Sequence, residues 1–121
     1  MRLPFFHITS LGAKGEHLAE AYLRKNGFRI LARNYRFQRA EIDLIVQEGN
    51  EIVFVEVKTR SNDHYGSGEE AVTAKKQAQI RKAAEGYITQ HSVENILLRF
   101  DVVVVEFHGT EHLIRHLRNA F

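Results

Sequence analysis

The chain has 121 residues and a mass of 14.0 kDa, enough for one compact core but not for two, so a single domain over residues 1–121 is expected. With 44 % apolar and 26 % charged residues it is neither a disordered nor a fibrous chain, and the absence of cysteine excludes disulfides, thiolate zinc sites and cysteine nucleophiles. The net charge of +2 hides a segregation: residues 1 to 40 carry a net +6, residues 41 to 60 a net −3, an arrangement suited to a polyanionic partner with an acidic spot for a cation.

Taken in chain order, Leu11, Leu18, Ala19, Tyr22 and Leu23 fall at helical spacing between a Ser10 cap and a Gly27 stop, which predicts a helix over Leu11 to Asn26. Strand patterns follow over Phe28 to Arg36, Ala40 to Gln47 and Glu51 to Thr59. Ser61 to Glu70 reads as a loop, and Thr73 to Gln90 as a second helix whose stripe is Ala74, Ala78, Ile80, Ala83, Ala84, Tyr87 and Ile88. Leu97 to Phe107 and Glu111 to Leu117 complete the order α-β-β-β-α-β-β, an α/β fold with a mixed sheet flanked by helices. No run is long enough to span a membrane and the opening residues do not resemble a signal peptide, so a cytoplasmic protein is expected.

Glu48-Gly49-Asn50-Glu51 predicts a two-residue hairpin turn with positive backbone angles at Gly49 and Asn50. Setting Glu48 opposite Glu51 places Val46 with Val53, Leu44 with Val55 and Ile42 with Val57 on one apolar face. On the other face Ile45 meets Phe54, Asp43 meets Glu56 and Glu41 meets Lys58. Carboxylates opposed across an antiparallel pair are about 5 Å apart and need a proton or a cation between them. Two such acids can hold a hard divalent ion, here Mg²⁺ or Mn²⁺, and Lys58 on the same face can orient a water: the parts that phosphodiester hydrolysis needs. The competing reading of these residues is a pair of surface ion pairs, Glu41 with Lys58 and Asp43 with Arg60 or Lys58.

The stretches Gly15-Glu16, Gly27-Phe28, Ile30-Leu31-Ala32-Arg33-Asn34, Glu41-Ile42-Asp43-Leu44-Ile45, Val53 to Arg60, Glu70-Ala71-Val72, Arg99 to Val103 and Asn119-Ala120-Phe121 together resemble the YraN-like family of small bacterial proteins. That family is grouped with the PD-(D/E)xK, restriction-endonuclease-like nucleases and is similar to archaeal Holliday-junction resolvases. The resemblance implies metal-dependent cleavage of branched DNA. It makes Asp43 and Glu56 the motif acids and Lys58 the motif lysine, and Glu16 the extra acid near the metal. On this reading the Val57 backbone carbonyl is a further ligand, and a symmetric homodimer follows from the resolvase analogy. Two positions depart from the pattern: Ile42 stands where the motif has proline, and Ala40 where the family has glycine.

Arg33, Arg60 and Lys75 are the expected phosphate contacts, ahead of Arg36, Arg39 and Lys76. His112 and His116, four apart on a strand, are too distant to share a zinc ion. Asp101 is open to a structural role or to one bordering the site, and Phe5, Phe6, Phe107 and Phe121 are read as core ahead of base-stacking surfaces. Gly66 and Gly68 lack the neighbours of a phosphate-binding loop. A non-catalytic nucleic-acid-binding module, or a protein-interaction domain, are the alternatives to an enzyme.

Overall fold

The computed structural model describes residues 10–61 and 72–121. The expectations for the loop after Ser61, for Phe5 and Phe6, and for Gly66 and Gly68 lie outside them.

The elements are α1 (Leu11–Lys25), β1 (Arg29–Phe37), β2 (Ala40–Glu48), β3 (Glu51–Ser61), α2 (Ala74–Gln90), β4 (Leu97–His108) and β5 (Glu111–Leu117). The order is the expected one, with every boundary within two residues. Both predicted caps form: Ser10 Oγ accepts from the Ala13 N–H at 3.0 Å, and Thr73 Oγ1 from the Lys76 N–H at 3.1 Å. Gly27, at φ +90°, releases the chain from α1 into β1.

The five strands lie in sequence order β1-β2-β3-β4-β5, antiparallel except for the central β3–β4 pair, which is parallel and bridged by α2. Each face of the sheet carries a helix. Ala19 and Leu23 of α1 pack with Leu44, Val46, Val53, Val55, Val103 and Val105. Ile80, Ala83, Ala84 and Tyr87 of α2 pack with Ile45, Ile52, Phe54, Val102 and Val104 on the opposite face. Because β3 and β4 are covered on both sides they read as nearly continuous apolar runs, and each fully buried Val or Ile contributes about 1.5–3 kcal/mol. The α2 stripe begins later than expected: Ala74 and Ala78 are exposed, and Gly86 is buried beneath the ring of Phe37.

The hairpin register holds from Glu48↔Glu51 to Leu44↔Val55 and then stops. The expected Ile42–Val57, Asp43–Glu56 and Glu41–Lys58 pairs do not form in the ladder. Ala40 and Ile42 belong to the α2-side core, although Leu44 and Val46, of the same parity, belong to the α1 side. The strand therefore changes phase at Asp43. Its cross-strand neighbour in the β1–β2 register is Asn34, which sits at φ +47°, so both strands are irregular at the same level. The turn also differs: Gly49 is left-handed (φ +58°) and Asn50 is not, as in a turn whose first central residue is glycine.

Candidate active site

The break in the β2–β3 ladder is what builds the site. Beyond Leu44 and Val55 the Val57 N–H has no strand partner on β2, and Asp43 Oδ2 accepts it at 2.8 Å. A side chain thus replaces a backbone carbonyl, and the Asp43 carboxylate is drawn into the gap between the strands. Glu56, whose side chain is 10 % exposed, meets it there. Burial first, then the Asp43 charge, pushes the Glu56 carboxyl up to about 7, and burial raises Asp43 as well. Each carboxyl lies within reach of the other, and the Asp43 charge acts directly on Glu56. Their close approach survives the loss of direct pairing.

Two lysines face this pair. Lys58, two residues along β3 from Glu56, acts on it through its charge, and Lys76 Nζ lies 3.9 Å from Glu56 Oε2. The sequence favours Lys75 over Lys76 as a phosphate contact, but it is Lys76 that lies beside the acid pair. The better signal was helical spacing: Lys76 is one turn before Ile80 on the stripe that continues through Ala83 and Tyr87, so it faces the sheet, whereas Lys75 is exposed.

Glu16 reaches the site from α1. Gly15 is buried against Thr59 so tightly that a Cβ would overlap the Thr59 hydroxyl, and this close approach lowers the helix onto β3. Burial raises the Glu16 carboxyl, with further pushes from Asp43 and then Glu41. Glu16, His17, Glu20, Arg33, Asn34 and Asp43 line a cleft of about 380 Å³. Arg33, expected to contact phosphate, is instead clamped by Glu20 through two hydrogen bonds of 2.7 and 2.6 Å. Arg60 Nη1 donates to the Thr59 carbonyl at 3.3 Å.

The donor set suits a hard divalent ion in one respect: two converging carboxyls, one of them raised to about 7 by burial and by the charge of the other. Among the described residues no three His, Cys, Asp or Glu side chains are arranged to hold one ion, so Glu16 stands beside the acid pair without completing a triad. The pair alone matches the one or two carboxylates with which Mg²⁺ is commonly bound.

Asp101 belongs to a separate cluster. Fully buried, it accepts two hydrogen bonds from Arg99 (both 2.9 Å), one from the Asn119 N–H (3.1 Å), and lies 2.7 Å from His116 Nε2. His116 Nδ1 meets the Tyr22 hydroxyl at 3.1 Å, so both ring nitrogens are occupied within the fold. Phe107 is half-buried in the α1-side core, and Phe121 stacks on Phe100 at 5.2 Å.

A helix on each face of a five-stranded mixed sheet, with acids and lysines gathered where the central strands part, defines an α/β protein with a polar site at one end of its sheet. The family model described as "Uncharacterised protein family UPF0102" matches residues 15–105, and the chain belongs to that family. It is 46 % identical to the UPF0102 protein of Geobacter metallireducens over 115 residues, 95 % of this chain and 94 % of the relative. It is also 46 % identical to that of Rhodococcus opacus over 95 % and 98 % of the two chains. The UPF0102 protein of Chloroherpeton thalassium is 48 % identical over 93 % of this chain and 83 % of its own. No described helix is long and apolar enough to cross a membrane.

Proposed function

We propose that the chain is a divalent-metal-dependent endonuclease that hydrolyses phosphodiester bonds of DNA, with branched, Holliday-junction-like DNA as the substrate suggested by the resemblance. The observation that carries this reading is the buried convergence of Asp43 and Glu56 beside Lys58 and Lys76, which leaves Glu56 titrating near 7. Asp43 and Glu56 would hold Mg²⁺ or Mn²⁺, and the Val57 carbonyl is the backbone ligand proposed with them. When bound, such an ion makes a water nucleophilic near neutral pH and offsets charge on the phosphate oxygens. The Val57 N–H fixes the Asp43 carboxylate in one orientation, so its position does not depend on the ion. Lys58 orients the attacking water, and Lys76 presents a second positive charge where the phosphate approaches. Glu16 adds negative potential from the α1 side.

A second reading, a nucleic-acid-binding module without catalysis, is favoured by one feature: Glu56 has Lys76 and Asp43 has the Val57 N–H, so the acids are partnered without an ion. Labelled four-way junctions, flaps, single strands and linear duplex titrated with Mg²⁺ and Mn²⁺ separate the two. Cleavage by the wild type that vanishes in both Asp43→Asn and Lys58→Ala is the expected result; binding without cleavage under either metal supports the module. Matched cuts on two strands call for a symmetric dimer, which sedimentation of the protein with and without a junction would detect.

A further inference from the structure

A second cleft, of about 310 Å³, opens on the α2 side of the sheet between the β1–β2 turn and the outer face of α2. Phe37, Gln38, Arg39, Ala40, Gln79 and Lys82 line it. Its polar lining is two cations and two amides, with no carboxylate. Among the described residues neither Arg39 nor Lys82 pairs with an acid, in contrast to Arg33, Arg36 and Arg99, which all do. The walls are held in place from below: the Phe37 ring lies on Gly86 where no side chain would fit, and Ala40 is buried in the α2-side core. Gln38, at φ +57°, makes the turn that presents Arg39. A cation-and-amide cleft on a rigid floor is the chemistry of a site for a phosphate oxyanion, with the cations neutralising charge and the amides donating hydrogen bonds.

Its place relative to the acid pair suggests which phosphate it takes. Lys82 follows Lys76 on α2 by six residues, about 9 Å along the helix at 1.5 Å per residue. At about 3.4 Å of axis per phosphate along one strand, that is two to three phosphates from the acid pair. Lys75, Gln79 and Lys82 lie at i, i+4 and i+7, so one exposed stripe of α2 runs in this direction. Resting on the DNA reading above, we infer that the Arg39–Lys82 cleft binds a backbone phosphate of the substrate strand a few nucleotides from the scissile bond and sets the register of that strand. The cleft binds nucleic-acid backbone without reading sequence.

The test measures affinity for a labelled duplex and four-way junction in EDTA, where no cleavage intervenes, as a function of salt. Arg39→Ala/Lys82→Ala should lower the steepness of log K against log salt by about 1, since a lost phosphate contact is worth about 0.9 on duplex DNA. Lys25→Ala/Arg29→Ala, which removes the same charge from exposed positions on α1 and the start of β1, should leave the slope unchanged. An unchanged slope in the Arg39/Lys82 variant, an equal change in the control, or no salt-dependent retention of DNA by the wild type each overturns the cleft. If the double variant does not fold, Arg39→Gln and Lys82→Gln are measured singly, each expected to lower the slope by about 1. A wild type that binds but never cleaves with Mg²⁺ or Mn²⁺, with the slope change intact, defeats the nuclease reading and leaves the phosphate site standing. Cleavage with no slope change does the reverse.

Discussion

Burial and the Asp43 charge hold Glu56 at about 7, well above the ordinary glutamate value of 4.5, and this has a direct consequence for stability. The folded state keeps a proton that the unfolded state releases, so the contribution of Glu56 is full below about 4.5 and is lost as pH rises through 7. Asp43 and Glu16 are shifted in the same direction. Chelated protein should therefore melt at a lower temperature at pH 8 than at pH 5.5, with Glu56 accounting for about 2 kcal/mol of the difference. Glu56→Gln should flatten that dependence and raise the melting temperature at pH 8; a steeper dependence would contradict the raised Glu56 carboxyl. At pH 7.5, Mg²⁺ at a hundred times its Kd should stabilise the wild type by about 2.7 kcal/mol and Asp43→Asn by far less, read from thermal melts. The approach of Asp43 to Glu56 was legible in the sequence only in outline: the countable hairpin register that suggests it ends at Leu44 and Val55, and the approach survives because Asp43 takes the Val57 N–H instead. The Arg33–Glu20 clamp was not, since it joins α1 to β1 across 13 positions with no local pattern.

Among the elements, α1 and β2 decide the shape of the site. Gly15 allows α1 to rest on Thr59, and a methyl there must push helix and strand apart. Gly15→Ala should lower stability by about 1–3 kcal/mol in denaturant titration and weaken the Mg²⁺-induced shift, because Glu16 and the α1 wall of the cleft retreat together. The phase change at Asp43 and Asn34 has no counterpart in the apolar pattern, which continues through Ile42 as though the strand were regular. Apolar alternation reports burial on either face, and with a helix covering each face of this sheet Ile42 is buried whichever way it turns. The pattern therefore could not distinguish a regular strand from one that switches faces. Thr73 caps α2 by accepting the N–H of Lys76, three residues on, so Thr73→Ala should cost about 1 kcal/mol, seen as a lower urea midpoint.

Across the whole molecule, the buried Asp101 ties together parts that are far apart in the chain. Arg99, which links it to Glu51 and Glu48 of the hairpin, is itself 7 % exposed, and the Asn119 N–H and His116 bring in the C-terminal segment. Ala120 adds a backbone bond to the Phe100 carbonyl at 2.7 Å, and Arg81 lies 4.8 Å above the Phe100 ring. Burial opposes the Asp101 charge, yet hydrogen bonds from His116 and Arg99 hold its carboxyl below the ordinary range. Its contribution is present above the unfolded aspartate value and is lost as pH falls through the folded one, opposite in sign to that of Glu56. Asp101→Ala, which strands a buried guanidinium with fewer partners, should cost about 3–5 kcal/mol in equilibrium unfolding at pH 7. Element order, caps and the hairpin register near its turn follow from spacing along the chain, because local hydrogen bonding and side-chain alternation are properties of neighbouring residues. The fate of Asp101, the choice of Lys76, the face taken by Ile42 and the depth of Glu16 were settled by packing. Each depends on which helix covers which side of the sheet and how closely, and no count along the chain contains that distance.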